Sequence, residues 1–149
     1  MEVIIKEDYE ELSKFAASLI SEQIKKKPDA VLGLATGSTP LGTYKELIKL
    51  YKENKIDFSK VTSFNLDEYV NLSTEHEQSY QYFMKENFFN HINIVPENYF
   101  LPDGMTKDIS QSCIEYENNI KAHGGIDIQI LGIGSNGHIA FNEPGSSLG

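Results

Sequence analysis

The chain has 149 residues, 40% of them hydrophobic, with 22 acidic against 13 basic side chains and a formal charge of −9. That is enough for one domain with a buried core, and an acidic chain without a basic patch suits neither nucleic acid nor an anionic membrane, although backbone N–H groups could still hold a phosphorylated small molecule. A lone cysteine, Cys113, excludes an internal disulfide, no apolar run is long enough to span a membrane, and the acidic N-terminus is no signal peptide, so a cytoplasmic protein is expected.

Val3 to Ile5 reads as a short strand. Asp8 reads as a helix N-cap with Glu11 as its capping-box partner. Tyr9, Leu12, Phe15, Ala16, Leu19, Ile20 and Ile24 then recur at helical spacing. Lys25, Lys26 and Lys27 suit that helix's C-terminus as a solvated end, and Pro28 stops it.

Residues 30–35 form an apolar run of the buried, parallel-strand kind. It feeds Thr36-Gly37-Ser38-Thr39-Pro40, where Thr39 is a good N-cap and Pro40 a good first helical residue. Leu41, Tyr44, Leu47, Ile48 and Tyr51 continue as an amphipathic helix. A strand, a glycine loop and a helix start together offer N–H groups and hydroxyls to an anion; a plain capped turn is the alternative. The loop is not of the Walker type, since no Gly-Lys-Ser/Thr follows.

Residues 61–66 read as a third strand with Asp67, Glu68 and Tyr69 at its carboxyl end. These acids could be general bases, metal ligands or solvated loop residues. Neighbouring side chains diverge, so one of them would face a given site. His76 lies in a polar loop and reads as surface; His91 has no assigned role. Tyr80, Phe83, Met84, Asn87 and Phe88 predict a helix with an aromatic packing stripe. Residues 98–101 predict a strand, stopped by Pro102-Asp103-Gly104. Asp108 with Gln111 caps a further helix whose expected buried face is Ile109, Cys113, Tyr116 and Ile120, with His123-Gly124-Gly125 closing it. Residues 126–131 form the last strand. About five strands alternating with four helices predict a three-layer α/β fold: a Rossmann-like, mostly parallel sheet with helices on both faces.

That last strand runs into Gly132-Ile133-Gly134-Ser135-Asn136-Gly137-His138-Ile139-Ala140-Phe141-Asn142-Glu143-Pro144. An imidazole follows three glycines, and a carboxylate stands five residues on, both beyond a strand end where open α/β sheets bind ligands. The first six residues match G-x-G-x-x-G. A dinucleotide site is disfavoured because Glu143-Pro144-Gly145 cannot continue the long helix that should hold the pyrophosphate. His138 and Glu143 could supply two metal ligands, but no H-E-x-x-H pattern or cysteine cluster accompanies them. A buried, hydrogen-bonded core histidine is the plain alternative for His138, disfavoured because the residue follows three glycines at a strand end and not an apolar helix face.

Three stretches together, Leu34-Ala35-Thr36-Gly37-Ser38-Thr39-Pro40, Phe64-Asn65-Leu66-Asp67-Glu68-Tyr69 and the 132–144 motif, resemble the glucosamine-6-phosphate deaminase family in order and spacing. The resemblance implies conversion of glucosamine 6-phosphate and water to fructose 6-phosphate and ammonia, in amino-sugar catabolism. It implies His138 as ring-opening acid/base, Glu143 as its paired carboxylate, and Asp67 as the base that moves a proton from C2 to C1. Asn136 stands where many family members have aspartate and is expected to be a positioning member of the catalytic group. Thr36, Gly37, Ser38 and Thr39 would hold the phosphate. No metal or redox cofactor is implied, and the partner is a small phosphosugar, with no nucleic acid and no membrane; a homo-oligomer is an allowed assembly. The resemblance covers the N-terminal part of a family member, so residues 1–149 are expected to be a single α/β domain belonging to a longer catalytic domain, with further phosphate-binding cations and a lid outside it. The alternatives are a 6-phosphogluconolactonase-like hydrolase, which shares a Gly-His loop, and a sugar-phosphate-sensing regulatory domain, which would not need Asp67, His138 and Glu143.

Overall fold

Short, wholly buried β1 (Val31–Leu34) and β2 (Thr62–Asn65) pair in parallel at the centre of one sheet in the computed structural model, which describes residues 2–147. β3 (Tyr99–Phe100) and β4 (Ile128–Gln129) flank them, also parallel, in the order β3-β2-β1-β4. The chain moves one way from β1 to β3 through α2 (Leu41–Lys52) and α3 (Tyr80–Asn87), then returns through α4 (Ile109–Ala122) to lay β4 on the other side of β1. The direction reverses between β1 and β4, and such a switch point opens a crevice beyond the strand ends.

The core packs on one face of the sheet. Leu32 and Leu34 share a buried cluster with Ala17, Ile20 and Ile24 of α1 (Tyr9–Lys26), Tyr44 and Leu47 of α2, and Met84 of α3. Phe64 points the other way, stacking on Phe100 at 4.9 Å and meeting Tyr116 of α4 edge-on at 5.6 Å. The three-layer α/β arrangement is therefore the one expected.

Three local expectations fail. Residues 3–5 form no strand: they find no ladder partner among the described residues, and Val3 and Ile5 are 73% and 89% exposed. On α1, Asp8 caps as expected, accepting from the Glu11 N–H at 2.8 Å, but Glu11 turns to Lys14. The buried face of α1 is Ser13, Ala17, Ile20, Ser21 and Ile24, while Leu12 and Leu19 stay exposed. Small side chains at fourfold spacing bring α1 close to α2, a contact that the spacing of large apolar residues does not reveal. On α4, Asp108 caps through the Gln111 N–H at 2.9 Å, yet Ile109 and Cys113 are exposed. The helix rests on the sheet through Tyr116, whose hydroxyl donates to the carbonyls of Asn65 and Phe100, so residues 109 and 113 instead face an open cavity beside residues 102–106.

β4 is held at its start by Asp127, whose Oδ2 accepts from the Val31 N–H and from Lys27 Nζ, each at 2.8 Å. Lys27, then the Val31 N–H, pull the Asp127 carboxyl below its ordinary value of 3.8. A depressed pKa stabilises the fold above the unfolded value, and that contribution is lost as pH falls through the folded one. Asp127→Asn should therefore lower Tm by roughly 1–3 °C at neutral pH, discounted for solvent exposure. In melts at successively lower pH the gap should begin to close below about pH 4; a gap independent of pH would refute the charge effect.

Candidate active site

The loops that leave β1 and β4 face each other across the switch point, and the loop after β2 closes one side. Between them lies a cleft of about 610 Å³ lined by Thr36, Gly37, Ser38, Thr39, Asp67, Tyr69, Tyr80, Gly134, His138, Phe141 and Glu143, among others. Of the eight residues singled out as site candidates, only Asn136 is not on the cleft wall. No lysine or arginine among the described residues lines it.

Gly37 turns the loop after β1 at φ +89°, a conformation suited to glycine. The expected Thr39 cap is not formed. Pro40 occupies the cap position of α2 without a side-chain bond, because the Tyr9 phenol takes the Gly42 N–H at 2.8 Å. Thr39 is thereby left on the cleft wall.

The two acids after β2 part company. Glu68 turns to α3, where its two oxygens accept from the N–H groups of Tyr80 and Gln81 at 2.9 and 3.0 Å. Those first-turn donors have no partner within the helix, and the helix dipole favours a carboxylate there. Asp67 alone enters the cleft, half-buried. Burial first, and the Glu68 charge second, push its carboxyl above the ordinary 3.8. No group of three or more His, Cys, Asp or Glu among the described residues could hold a metal ion.

His138, Asn136 and Glu143 form one hydrogen-bonded unit. Asn136 Nδ2 donates to Glu143 Oε2 at 2.7 Å, so Asn136 Oδ1 faces the imidazole, 2.7 Å from His138 Nδ1, and also accepts the His138 backbone N–H at 3.1 Å. An amide oxygen only accepts, which assigns the proton to Nδ1 and leaves Nε2 with its lone pair in the neutral ring. Glu143 Oε1 lies 3.7 Å from Nδ1, within ion-pair range of a protonated ring. The ring sits in the space above Gly134, where any side chain would meet its Cε1 and Nδ1. His138 is 41% exposed at its side chain, so the buried core reading is set aside. No helix follows Gly137 among the described residues; the chain makes a tight turn bridged between Ile139 and Asn142, against the dinucleotide reading.

The aromatic wall was not foreseen. Tyr69 lies 4.8 Å from Tyr80 and 5.5 Å from Phe141, centroid to centroid. Tyr80 donates to the Tyr69 hydroxyl at 3.3 Å and shares the cleft wall with Thr36 of the loop after β1. Tyr80, expected in a packing stripe, stands on the cleft wall because it opens α3 next to the strand ends.

The family model for glucosamine-6-phosphate isomerases/6-phosphogluconolactonase matches residues 6–146. The chain belongs to this family. A glucosamine-6-phosphate deaminase of Thermoanaerobacter sp. (strain X514) is 61% identical over 148 residues, covering 99% of this chain and 58% of that protein. One from Clostridium tetani (strain Massachusetts / E88) is 62% identical over 148 residues, covering 99% and 61%. Among solved structures, a monomeric glucosamine-6-phosphate deaminase superposes with a TM-score of 0.95 at 49% identity, over 99% of this chain and 61% of the other. A 6-phosphogluconolactonase from Plasmodium vivax follows the same family fold with a TM-score of 0.74 at 30% identity, over 92% and 50%. The chain thus spans about three-fifths of the length of its deaminase relatives. No helix among the described residues is long and apolar enough to cross a membrane.

Proposed function

We propose that the full-length protein converts glucosamine 6-phosphate and water to fructose 6-phosphate and ammonia, and that residues 1–149 are one α/β domain forming the N-terminal part of its catalytic domain. The observation that carries this reading is convergence: Thr36 to Thr39, Asp67, and His138 with Glu143 come from three loops far apart in sequence and line one cleft. The 61–62% identity to two deaminases supports the substrate.

The chemistry follows from the side chains. His138, with Nδ1 bonded to Asn136, uses Nε2 to take the anomeric hydroxyl proton while the ring oxygen is protonated, which opens the pyranose. Glu143 and Asn136 orient the imidazole and, once it is charged, the carboxylate stabilises it. The C2 proton beside the new aldehyde is acidic; Asp67 removes it and returns it to C1. The C2 imine that results adds water and expels ammonia, leaving the ketone of fructose 6-phosphate. Every step moves protons or water, so the scheme draws on no metal or redox cofactor. The phosphate lies against the loop after β1, held by its N–H groups and hydroxyls. This phosphosugar is the proposed partner, and a monomer is the simplest assembly given the monomeric solved relative.

The second reading, hydrolysis of a phosphogluconolactone, is supported by the two activities in the family's description and by the Plasmodium vivax relative, at half the identity of the deaminases. Ser38→Ala combined with Thr39→Ala should raise KM for glucosamine 6-phosphate by about ten- to a hundredfold, as charge-assisted hydrogen bonds are lost, with little change in kcat. Steady-state kinetics showing an unchanged KM would remove the phosphate assignment.

A further inference from the structure

The start of α2 is capped from another helix. Tyr9, on the first turn of α1, accepts the Gly42 N–H at 2.8 Å, and its hydroxyl stands 2.9 Å from both the Ser38 and the Thr39 carbonyl oxygens, to which it donates. The approach is close: a Cβ on Gly42 would overlap Ser13 Oγ and lie 2.9 Å from the Tyr9 ring. Tyr9 lines the groove between α1 and α2 and not the cleft, whereas Ser38 and Thr39 reach both.

We propose that Tyr9 is a positioning residue for the anion loop, acting through peptide orientation; the inference rests on the phosphate reading above. In a planar trans peptide the Ser38 carbonyl and the Thr39 N–H point in opposite directions. A carbonyl held on the α1 side therefore turns that N–H away from α1. The Thr39 carbonyl is held on the same side, and its peptide has no N–H because Pro40 follows. With both oxygens anchored outside, neither can swing towards an anion and repel it. The same phenol occupies the Gly42 N–H, so the loop rather than the body of α2 supplies the donors.

In the full-length protein, Tyr9→Phe should raise KM for glucosamine 6-phosphate about tenfold, the effect of one misdirected donor, with kcat within about twofold. The inhibition constant of inorganic phosphate should rise in parallel. Gly42→Ala, which pushes on Ser13 and the Tyr9 ring without deleting the hydroxyl, should move both constants in the same direction. A lower Tm with KM and phosphate inhibition unchanged in both variants would overturn the inference and leave Tyr9 a packing residue. A wild-type protein that releases no ammonia counts instead against the proposed reaction; calorimetry with inorganic phosphate then decides the Tyr9 question alone, equal affinity in wild type and Tyr9→Phe overturning it.

Discussion

Asp67→Asn in the full-length protein should lower kcat for deamination by roughly 10²- to 10⁴-fold while a competitive phosphosugar inhibitor binds within about twofold of wild type. The asymmetry follows from position. Asp67 stands at the carboxyl end of β2, apart from the loop after β1, so removing its charge leaves the phosphate contacts intact. Asparagine keeps the shape and cannot take a proton. Burial and the neighbouring Glu68 charge hold the Asp67 carboxyl above its ordinary value of 3.8, which brings its basicity nearer the task of moving a proton from C2 to C1. The acid limb of the wild-type kcat/KM profile should accordingly lie above the ordinary aspartate value of 3.8. The raised pKa also fixes the sign for stability. The folded state binds this proton more tightly than the unfolded chain, so ionisation of Asp67 destabilises the fold as pH rises through the interval between the two values. Asp67→Asn removes that penalty and should melt no lower than wild type at neutral pH, which separates lost catalysis from lost folding. Substantial turnover by the variant would show that another group is the base.

Gly134→Ala should lower kcat about 10²-fold with KM nearly unchanged. The imidazole of His138 occupies the space where the new methyl would stand, with Nε2 only 2.6 Å from the ideal Cβ position. The ring must move, and with it the 2.7 Å contact between Nδ1 and Asn136 that fixes the tautomer. A displacement of about 1 Å at a catalytic group is enough for a loss of that size. Gly132 provides the control. A Cβ there would stand 3.5 Å from Thr39, an ordinary contact, so Gly132→Ala should be mild in kcat. Equal kinetics for Gly134→Ala and wild type would mean that His138 is not placed by this close approach.

What could be read in advance was local or chemical. The caps Asp8 and Asp108 stand immediately before their helices and announce them, and continuous apolar runs announce β1 and β2. A glycine run at a strand end marked His138 and Glu143, the end of another apolar run marked Asp67 together with Glu68, and the family resemblance supplied their separate roles. What could not be read depends on partners distant in the chain. Ser13, Ala17 and Ser21 are buried on α1, and Gly42 of α2 comes close against Ser13. Glu68 and Asp67 look alike in sequence, and the N-terminus of α3 decides between them by claiming Glu68. Tyr9 reaches a loop about thirty residues away, and nothing in its neighbours signals that. Asn136 is expected to be a positioning residue, but its two partners appear only in the fold, where it links the imidazole and Glu143. The expected strand at residues 3–5 failed for the same reason, since apolar character makes a strand only where a neighbour pairs with it.

The most direct measurement is ammonia release by the full-length protein, with glucosamine 6-phosphate and 6-phosphogluconolactone compared side by side. Turnover of the amino sugar to fructose 6-phosphate with stoichiometric ammonia, abolished by Asp67→Asn and without comparable lactone hydrolysis, is the result predicted. Lactone hydrolysis with no ammonia from glucosamine 6-phosphate would contradict it.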